Sequence, residues 1–507
     1  VIHAYTAEQV RTAEKPLLAV ESGYPGSLME RASFALAGHC LRWLRERRGQ
    51  VRGARVVALV GTGNNGGDAL HALAYLAHRG VEVWALLATD GAHPGGLEAL
   101  RRAGGRTVPA AGLAGIGRRA WTADLILDAL TGIGSVGPLR GPAADVVEAL
   151  VRTDPRATAG WGSLVVGVDV PSGIGVDDGA LPGAVLRADR TVTFGARKPG
   201  LLLPPAARLA GKVELVDLGL PLDRDAVALR RLEPRDLAAL WPVPGESDHK
   251  YSRGVLGVVA GSVTYPGAAS LTVRAAARAG VGMVRYLGPA EVARAVLAAR
   301  PEVVTTPGRV QAWVVGPGMS DDDVDRVAAA LGQAFDSRAP VVIDAGALAV
   351  LGKLSESLPP SAVLTPHAGE LAALLRARGV DVARAGVEAE PLRWARTAQE
   401  LTGATVLLKG SVTVVAGPAW EYAQADAPAW LATAGAGDVL AGVLGALLAG
   451  RAADLATDPD LVARLAAAAA SVCGLAARAA NPGGPIVAAD VAGTVPRVVA
   501  RLLAGEW

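Results

Sequence analysis

Short apolar runs, each about one strand long, recur along the first half of the chain, and each ends in a polar or glycine-rich loop. They are "RVVALV" (55–60), "VEVWALLA" (81–88), "ADLILDAL" (123–130), "SLVVGVDV" (163–170) and "RTVTFG" (190–195). Between the first two, Leu70, Leu73, Ala74 and Ala77 fall at helical spacing and Gly80 supplies a stop. Such alternation leaves few architectures open: a mostly parallel sheet with helices on both faces. The opening 50 residues read as helices, "SLMERASFALAGHCLRWL" most clearly. A charged, Pro-containing stretch (218–254) breaks the rhythm. It resumes with "VLGVVAG" (255–261), "VGMVRYLG" (281–288), "AWVVGPG" (312–318), "PVVIDAG" (340–346), "AVLTPHAGE" (362–370) and "TVLLKGS" (405–411), and closes in an Ala-rich helical tail. The expected fold class is α/β, in two domains, 1–222 and 230–507, each built on a mostly parallel sheet.

Composition narrows the function classes. With 50 Lys and Arg against 48 Asp and Glu, no global field recruits nucleic acid or an anionic membrane. The arginines of "LRWLRERRGQVRGAR" (41–55) lack an accompanying aromatic pattern and read as a solvated helix end. Cys40 and Cys473 form no CxxC pair, so neither a disulfide framework nor a thiolate zinc site is expected. Seven histidines yield no HExxH, and His71 and His78 lack ligand spacing. The opening "VIHAYTAEQVRTAEKP" has no signal-peptide core, and "VLAGVLGALLAG" (439–450) reads as a buried helix, not a membrane span. A cytoplasmic protein that forms a homo-oligomer, with no nucleic-acid or membrane partner, is expected.

In a parallel sheet, ligands bind beyond the carboxyl ends of the strands. In the first half those ends are "GTGNNGGD" (61–68), "DALTGIGSVGP" (128–138), "DVPSGIG" (169–175) and "FGARKPG" (194–200). Glycine admits close backbone approach, and amides at the following helix N-terminus attract anions, with Asp68 a candidate cap. The loop is neither GxGxxG nor a P-loop. Asn65, Asp128 and Ser172 offer an all-oxygen set for a hard cation. Asp169 and Lys198 are the titratable pair on that rim.

"GTGNNGGDA", "DALTGIG", "DVPSG" and "FGARKPG", with "LMERAS" before them, resemble the NAD(P)H-hydrate epimerase domain, the YjeF N-terminal family, over about residues 1–220. Ala69 stands where that family usually continues with Gly. The resemblance implies a Rossmann-like three-layer αβα domain. It implies hydrate contacts at Asn64, Asn65, Gly66, Gly67 and Asp68, and at Gly132, Ile133, Gly134, Ser135, Val136, Gly137 and Pro138. It further implies K+ at Asn65, Asp128 and Ser172, and a substrate contact at Asp169. The hydrate is a hemiaminal, so loss and return of its hydroxyl, or ring opening and closure, interconverts the epimers. Asp169 and Lys198 are expected to assist that proton traffic.

Far downstream, "LATAGAGDVLAGVLGALLAG" (431–450) sets a Gly-rich turn before an apolar helix. Amides 434–437 form a candidate anion hole, with Asp438 at its lip as a base or a cap. "GSVTYPGAAS" (261–270), "VVGPGMS" (314–320), "LTPHAGE" (364–370) and "LLKGSVT" (407–413) complete the rim, where Lys409 can steady phosphates and His367 can donate. With "HKYSRG" (249–254), these motifs resemble the ADP/ATP-dependent NAD(P)H-hydrate dehydratase family, of ribokinase-like fold, over about residues 230–500. Ala436 stands where that family often has Thr or Ser. The resemblance implies substrate contacts at Ala268, Gly318, His367 and Asp438. Nucleotide contacts are implied at Lys409, Gly410, Ser411, Val412, Thr413 and Gly437, with Gly435 in the anion hole. ADP or ATP would act as co-substrate, accompanied by Mg2+.

Together the two resemblances imply repair of the hydrates NADHX and NADPHX: one half epimerises R and S forms, the other dehydrates the S form through phosphorylation of its hydroxyl. The alternative is a vitamin or sugar kinase fused to a non-catalytic dinucleotide-binding or scaffold module.

Overall fold

The computed structural model describes residues 1–21, 26–88, 91–109, 120–157, 162–351, 357–458 and 460–507. They divide into two compact units: His3–Ala228, and Leu229–Trp507 together with Val1–Ile2. The break falls inside the charged stretch. Val227 is buried with Tyr5, Val10 and Ala196 in the first unit. The Val1 amino group pairs with Glu233 at 3.1 Å and Asp236 at 2.8 Å in the second.

The first unit holds a seven-stranded, wholly parallel sheet. Its spatial order is Arg106–Val108, Glu82–Leu87, Arg55–Val60, Leu125–Ala129, Leu164–Val168, Arg190–Phe194 and Lys212–Val216. Val56, Ala58 and Val60 pack with Leu36, Leu70 and Leu73 on one face. Val57 and Leu59 pack with Ile126, Val147 and Leu150 on the other. Both faces are covered, which is why these runs are apolar at nearly every position. The first strand has earlier neighbours on neither side: the chain goes one way to Glu82–Leu87 and returns on the other side with Leu125–Ala129. That reversal is a topological switch point.

The second unit's sheet, followed from Leu229, runs Leu229–Arg231, Glu421–Gln424, Thr413–Ala416, Thr405–Leu408, Ala362–Leu364, Val341–Ile343, Ala312–Val315, Val255–Val259 and Met283–Tyr286. It is parallel from Met283–Tyr286 through Thr405–Leu408. Its switch point lies between Val255–Val259 and Ala312–Val315. The next two strands pair antiparallel as a hairpin.

Helix Ala436–Gly450 is buried from Val439 to Ala449. It seats close to its neighbours because two of its positions lack a Cβ. One placed on Gly442 would lie 2.2 Å from the Thr272 carbonyl, and one on Gly445 would lie 2.4 Å from Val314 Cγ2. Among the described residues, one helix, Leu461–Ala480, is long and apolar enough to cross a membrane; 83% of its apolar window is buried, so it is a core helix.

Every strand proposed from the apolar runs is present, most of them shortened at one or both ends. The pattern missed Arg106–Val108, Lys212–Val216 and the strands Thr413–Ala416 and Glu421–Gln424. The first two lie at the sheet's edges, half wet, where "KVELV" does not read as a buried run.

At the first switch point a Cβ on Gly61 would stand 2.0 Å from the Leu130 carbonyl oxygen. Gly61→Ala must therefore push backbone apart. We expect it to destabilise the first unit by about 1–3 kcal/mol, seen as a lowered thermal transition for that unit with the second unit's unchanged.

Candidate active sites

The first helix after the switch point, Asn64–Ala77, has Gly63 at its N-cap and no side-chain cap. Its first-turn amides are thus left for a ligand. Asp68, proposed as the cap, is a full turn inside the helix and 9% exposed, because the helix begins at Asn64. A cleft of about 620 Å3 opens above this turn. Asn64, Asn65, Asp68, Gly132, Ile133, Gly134, Ser135 and Asp169 line it.

Five of the expected contacts are not among the residues that line the cleft. Gly66 and Gly67 are buried as scaffold: a Cβ would meet the Gly61 carbonyl oxygen at 2.3 Å and the His93 ring at 2.9 Å, respectively. Val136, Gly137 and Pro138 lie outside the cleft lining, with Val136 94% exposed.

Asn65, Asp128 and Ser172 do come together. Asn65 Nδ2 donates to the Thr131 carbonyl at 2.9 Å, and Ser172 Oγ accepts from the Thr131 amide at 3.0 Å. Ser172 N donates to Asp128 Oδ2 at 2.9 Å. Two oxygens of the set, Asn65 Oδ1 and Asp128 Oδ1, are buried with no hydrogen-bond partner among the described residues. Burial raises the Asp128 carboxyl above its ordinary range, against the pull of Ser172. Orphaned buried oxygens are costly, and a weakly hydrated cation satisfies them. The donor set fits one.

Asp169 follows strand Leu164–Val168 in the left-handed backbone region, φ 65°. For a residue with a Cβ this costs on the order of 1–3 kcal/mol and persists where the surroundings hold it. Three donors converge on its Oδ1: Lys198 Nζ at 2.5 Å, Thr193 Oγ1 at 3.1 Å and the Phe194 amide at 3.1 Å. Lys198 is 1% exposed, does not line the cleft, and donates also to Thr193 Oγ1 at 3.1 Å and the Phe194 carbonyl at 3.0 Å. The expected pair exists, but the lysine stands behind the carboxylate.

In the second unit, Gly435 (φ 85°) is the N-cap of helix Ala436–Gly450, again without a side-chain cap. The Ala436 amide bonds Thr433 O at 3.3 Å, which removes one donor from the expected 434–437 hole. Gly435, Gly437 and Asp438 keep amides with no protein acceptor among the described residues. Asp438 is therefore not a cap but a first-turn carboxylate. Burial, then Asp344, raise its pKa to about 6, while Lys409 pulls it down.

Lys409 Nζ lies 2.8 Å from Asp344 Oδ1 and 3.7 Å from Glu370 Oε2. Burial alone would lower its pKa, but Asp344 and Glu370 outweigh that and raise it, so it stays an ammonium. A Cβ on Gly437 would stand 3.4 Å from Lys409 Nζ, which places the ammonium at the helix turn. Gly410 and Ser411 are the exposed tip of the hairpin between Thr405–Leu408 and Thr413–Ala416, with Val412 buried beneath them. His367 caps helix Ala368–Ala377: its Nδ1 accepts from the Gly369 and Glu370 amides, both at 3.1 Å, while its Nε2 lies 3.6 Å from Glu370 Oε1. At the switch point Gly318 (φ 64°) abuts Ala268, whose Cβ would be 2.4 Å from an added one.

The two halves match two families. The family described as YjeF-related protein N-terminus matches residues 25–200, and the NAD(P)H-hydrate dehydratase family matches residues 256–492. The bifunctional NAD(P)H-hydrate repair enzyme Nnr of Mycobacterium tuberculosis is 46% identical, over 88% of this chain and 89% of its own. The chain belongs to the bifunctional NAD(P)H-hydrate repair enzyme family. The relative from Corynebacterium glutamicum is 33% identical over 98% of both chains. An ADP/ATP-dependent NAD(P)H-hydrate dehydratase from Bacillus subtilis, co-crystallised with ATP and Mg2+, is similar at 24% identity and TM-score 0.46, over 54% of this chain and 98% of that one.

Within this repair-enzyme fold, residue reading missed Asp344, Glu370 and Thr131. Asp344 is 2% exposed and accepts from Thr365 Oγ1 at 2.9 Å. Its signal was present: "VVIDAG" ends an apolar strand in an acid, at the same rim as the other loops. Because Asp344 raises the Asp438 carboxyl and also holds Lys409, Asp344→Asn removes a like charge and frees a cation. Both changes favour the Asp438 anion, so its midpoint should move below about 6, as read by carbon NMR titration of the carboxyl.

Proposed function

We propose that His3–Ala228 carries the epimerase and Leu229–Trp507 the dehydratase of this bifunctional NAD(P)H-hydrate repair enzyme. The enzyme interconverts the R and S hydrates of NADH and NADPH, and dehydrates the S form at the expense of ADP or ATP. One observation carries the assignment of sites. Each unit sets a carboxylate, Asp169 or Asp438, at a sheet rim where an uncapped helix N-terminus leaves its amides for phosphate.

In the epimerase cleft, the first-turn amides of Asn64–Ala77 and residues 132–135 hold the hydrated dinucleotide. Asp169 faces the hemiaminal. Lys198 does not reach the substrate and acts through Asp169 by fixing Oδ1, which leaves Oδ2 for proton exchange. Asn65 Oδ1, Asp128 Oδ1 and Ser172 Oγ would hold K+, whose charge would keep Asp128 ionised and steady the loop that carries Thr131.

In the dehydratase, Asp438 takes the proton from the hydrate hydroxyl as that oxygen attacks the terminal phosphate of the nucleotide. The amides of Gly435, Gly437 and Asp438 receive the charge on the transferring phosphoryl, and Lys409 steadies the nucleotide phosphates. Phosphate then departs as the ring nitrogen's lone pair forms a carbon–nitrogen double bond, and loss of a proton from the adjacent ring carbon to the released phosphate restores the reduced nicotinamide. Mg2+ would arrive on the nucleotide, held chiefly by phosphate and water. Among the described residues no cluster of three or more His, Cys, Asp or Glu is placed to ligate a metal. A reducing cytoplasm belongs to the same reading, supported by two free, buried thiols whose pKa values burial pushes up to about 12. Self-association is expected as well, with sedimentation equilibrium its direct test.

The deciding assay supplies racemic hydrate with ADP or ATP and follows recovery of reduced-nicotinamide absorbance. Wild type recovers all of it. Asp169→Asn should stop near half, with dehydration of the S form intact. Asp438→Asn should slow recovery by about 10²- to 10⁴-fold while epimerisation, read by proton NMR, continues. Dehydratase kcat/KM should fall as pH drops below about 6, where Asp438 takes up a proton. Wild-type rates in both variants reject the assignment.

Cation replacement separates the two units. Exchanging K+ for tetramethylammonium should depress epimerisation and leave dehydration of the S form unchanged. Asp128→Asn should abolish the K+ response.

A further inference from the structure

We propose that Asp68 is the proton donor of the epimerisation, with Asp169 as its ionised partner. The proposal rests on the epimerase reading above and goes beyond it by replacing Lys198 with a second carboxyl group.

The geometry separates three candidates. Lys198 is sealed behind Asp169, with its ammonium shared among Asp169, Thr193 and Phe194. Asp169 receives three donors at one oxygen, an arrangement that suits a carboxylate and not an acid. Asp68 lines the same cleft from helix Asn64–Ala77. Asp68 and Asp169 share that lining, and Lys198 does not.

The charges around Asp68 agree. Burial, Asp169 and Glu14 raise its pKa well above the usual carboxylate range, while Ser33 and the more distant Lys198 oppose them. Glu14 is itself raised, chiefly by burial. Arg11 and Glu21 complete the charged lining. Two acids whose surroundings drive them apart divide into a donor and a base.

The step balances without another reactant. The Asp68 carboxyl protonates the hydrate hydroxyl, the carbon–oxygen bond breaks, and water leaves as the ring nitrogen's lone pair forms a carbon–nitrogen double bond. Water adds to the opposite face and gives a proton to the Asp169 carboxylate. Transfer of that proton to Asp68 restores the starting state.

The test uses the full chain with R hydrate, following conversion to S by proton NMR and subtracting the uncatalysed rate. Asp68→Asn keeps the shape and a donor but has no transferable proton. We expect kcat to fall about 10²-fold or more, with KM within threefold. Wild type should lose rate as pH rises through the Asp68 pKa, and Asp68→Glu should keep such a limb at a shifted midpoint. If Asp68→Asn runs within threefold of wild type with the same pH profile while Asp169→Asn is inactive, the proposal fails and the epimerase reading stands. If both variants run at the wild-type rate, both fail. Should Asp68→Asn lose the unit's thermal transition, Asp68→Glu decides: a folded variant without the basic limb overturns the proposal.

Discussion

A parallel sheet whose chain reverses direction of travel must part its loops at the reversal, and in both units glycines line that gap. The gap is useful only if backbone can approach backbone there. In the first unit Gly61 lies against the Leu130 carbonyl and Gly66 against the Gly61 carbonyl, so the helix turn sits directly over the parted strands. In the second, the Gly261 amide donates to the Pro317 carbonyl at 2.7 Å and Gly318 rests on Ala268. In the first unit the helix end is both close and uncapped, so its amides face the crevice and create a place for anions before any side chain contributes.

Side chains then differentiate the two crevices. Around Asp169, an ammonium, a hydroxyl and an amide meet one carboxylate oxygen, and the strained backbone is the conformation that aims it there. Around Asp438 the balance is reversed: Asp344 is a like charge, and Lys409 is engaged by Asp344 and Glu370. The same residue type thus meets three donors at one oxygen in one unit, and in the other stands beside a like charge that, with burial, raises its pKa to about 6.

Much of this was legible in the residues. The apolar runs located the strands because both sheet faces are covered, so burial wrote itself into nearly every position. The loops at their ends gave the rims, and Asn65, Asp128 and Ser172, which lie at three strand ends, do come together in the structure. What stayed hidden depended on geometry that spacing does not encode. A helix starting at Asn64 instead of after Asp68 turned a supposed cap into a buried acid, and Lys198 proved to be behind its partner. Val136, Gly137 and Pro138 share a motif with lining residues yet are not part of the cleft lining. Asp344 was passed over because one acid after an apolar run resembles any strand end.

The tight seating of helix Ala436–Gly450 has a consequence at its far end. Gly442 and Gly445 hold the helix on the Thr272 carbonyl and Val314, so added bulk at either would lift the rod as a whole. Asp438 rides at its tip. A methyl group added at either buried glycine, touching nothing near the rim itself, would therefore shift the carboxylate at the far end of the rod.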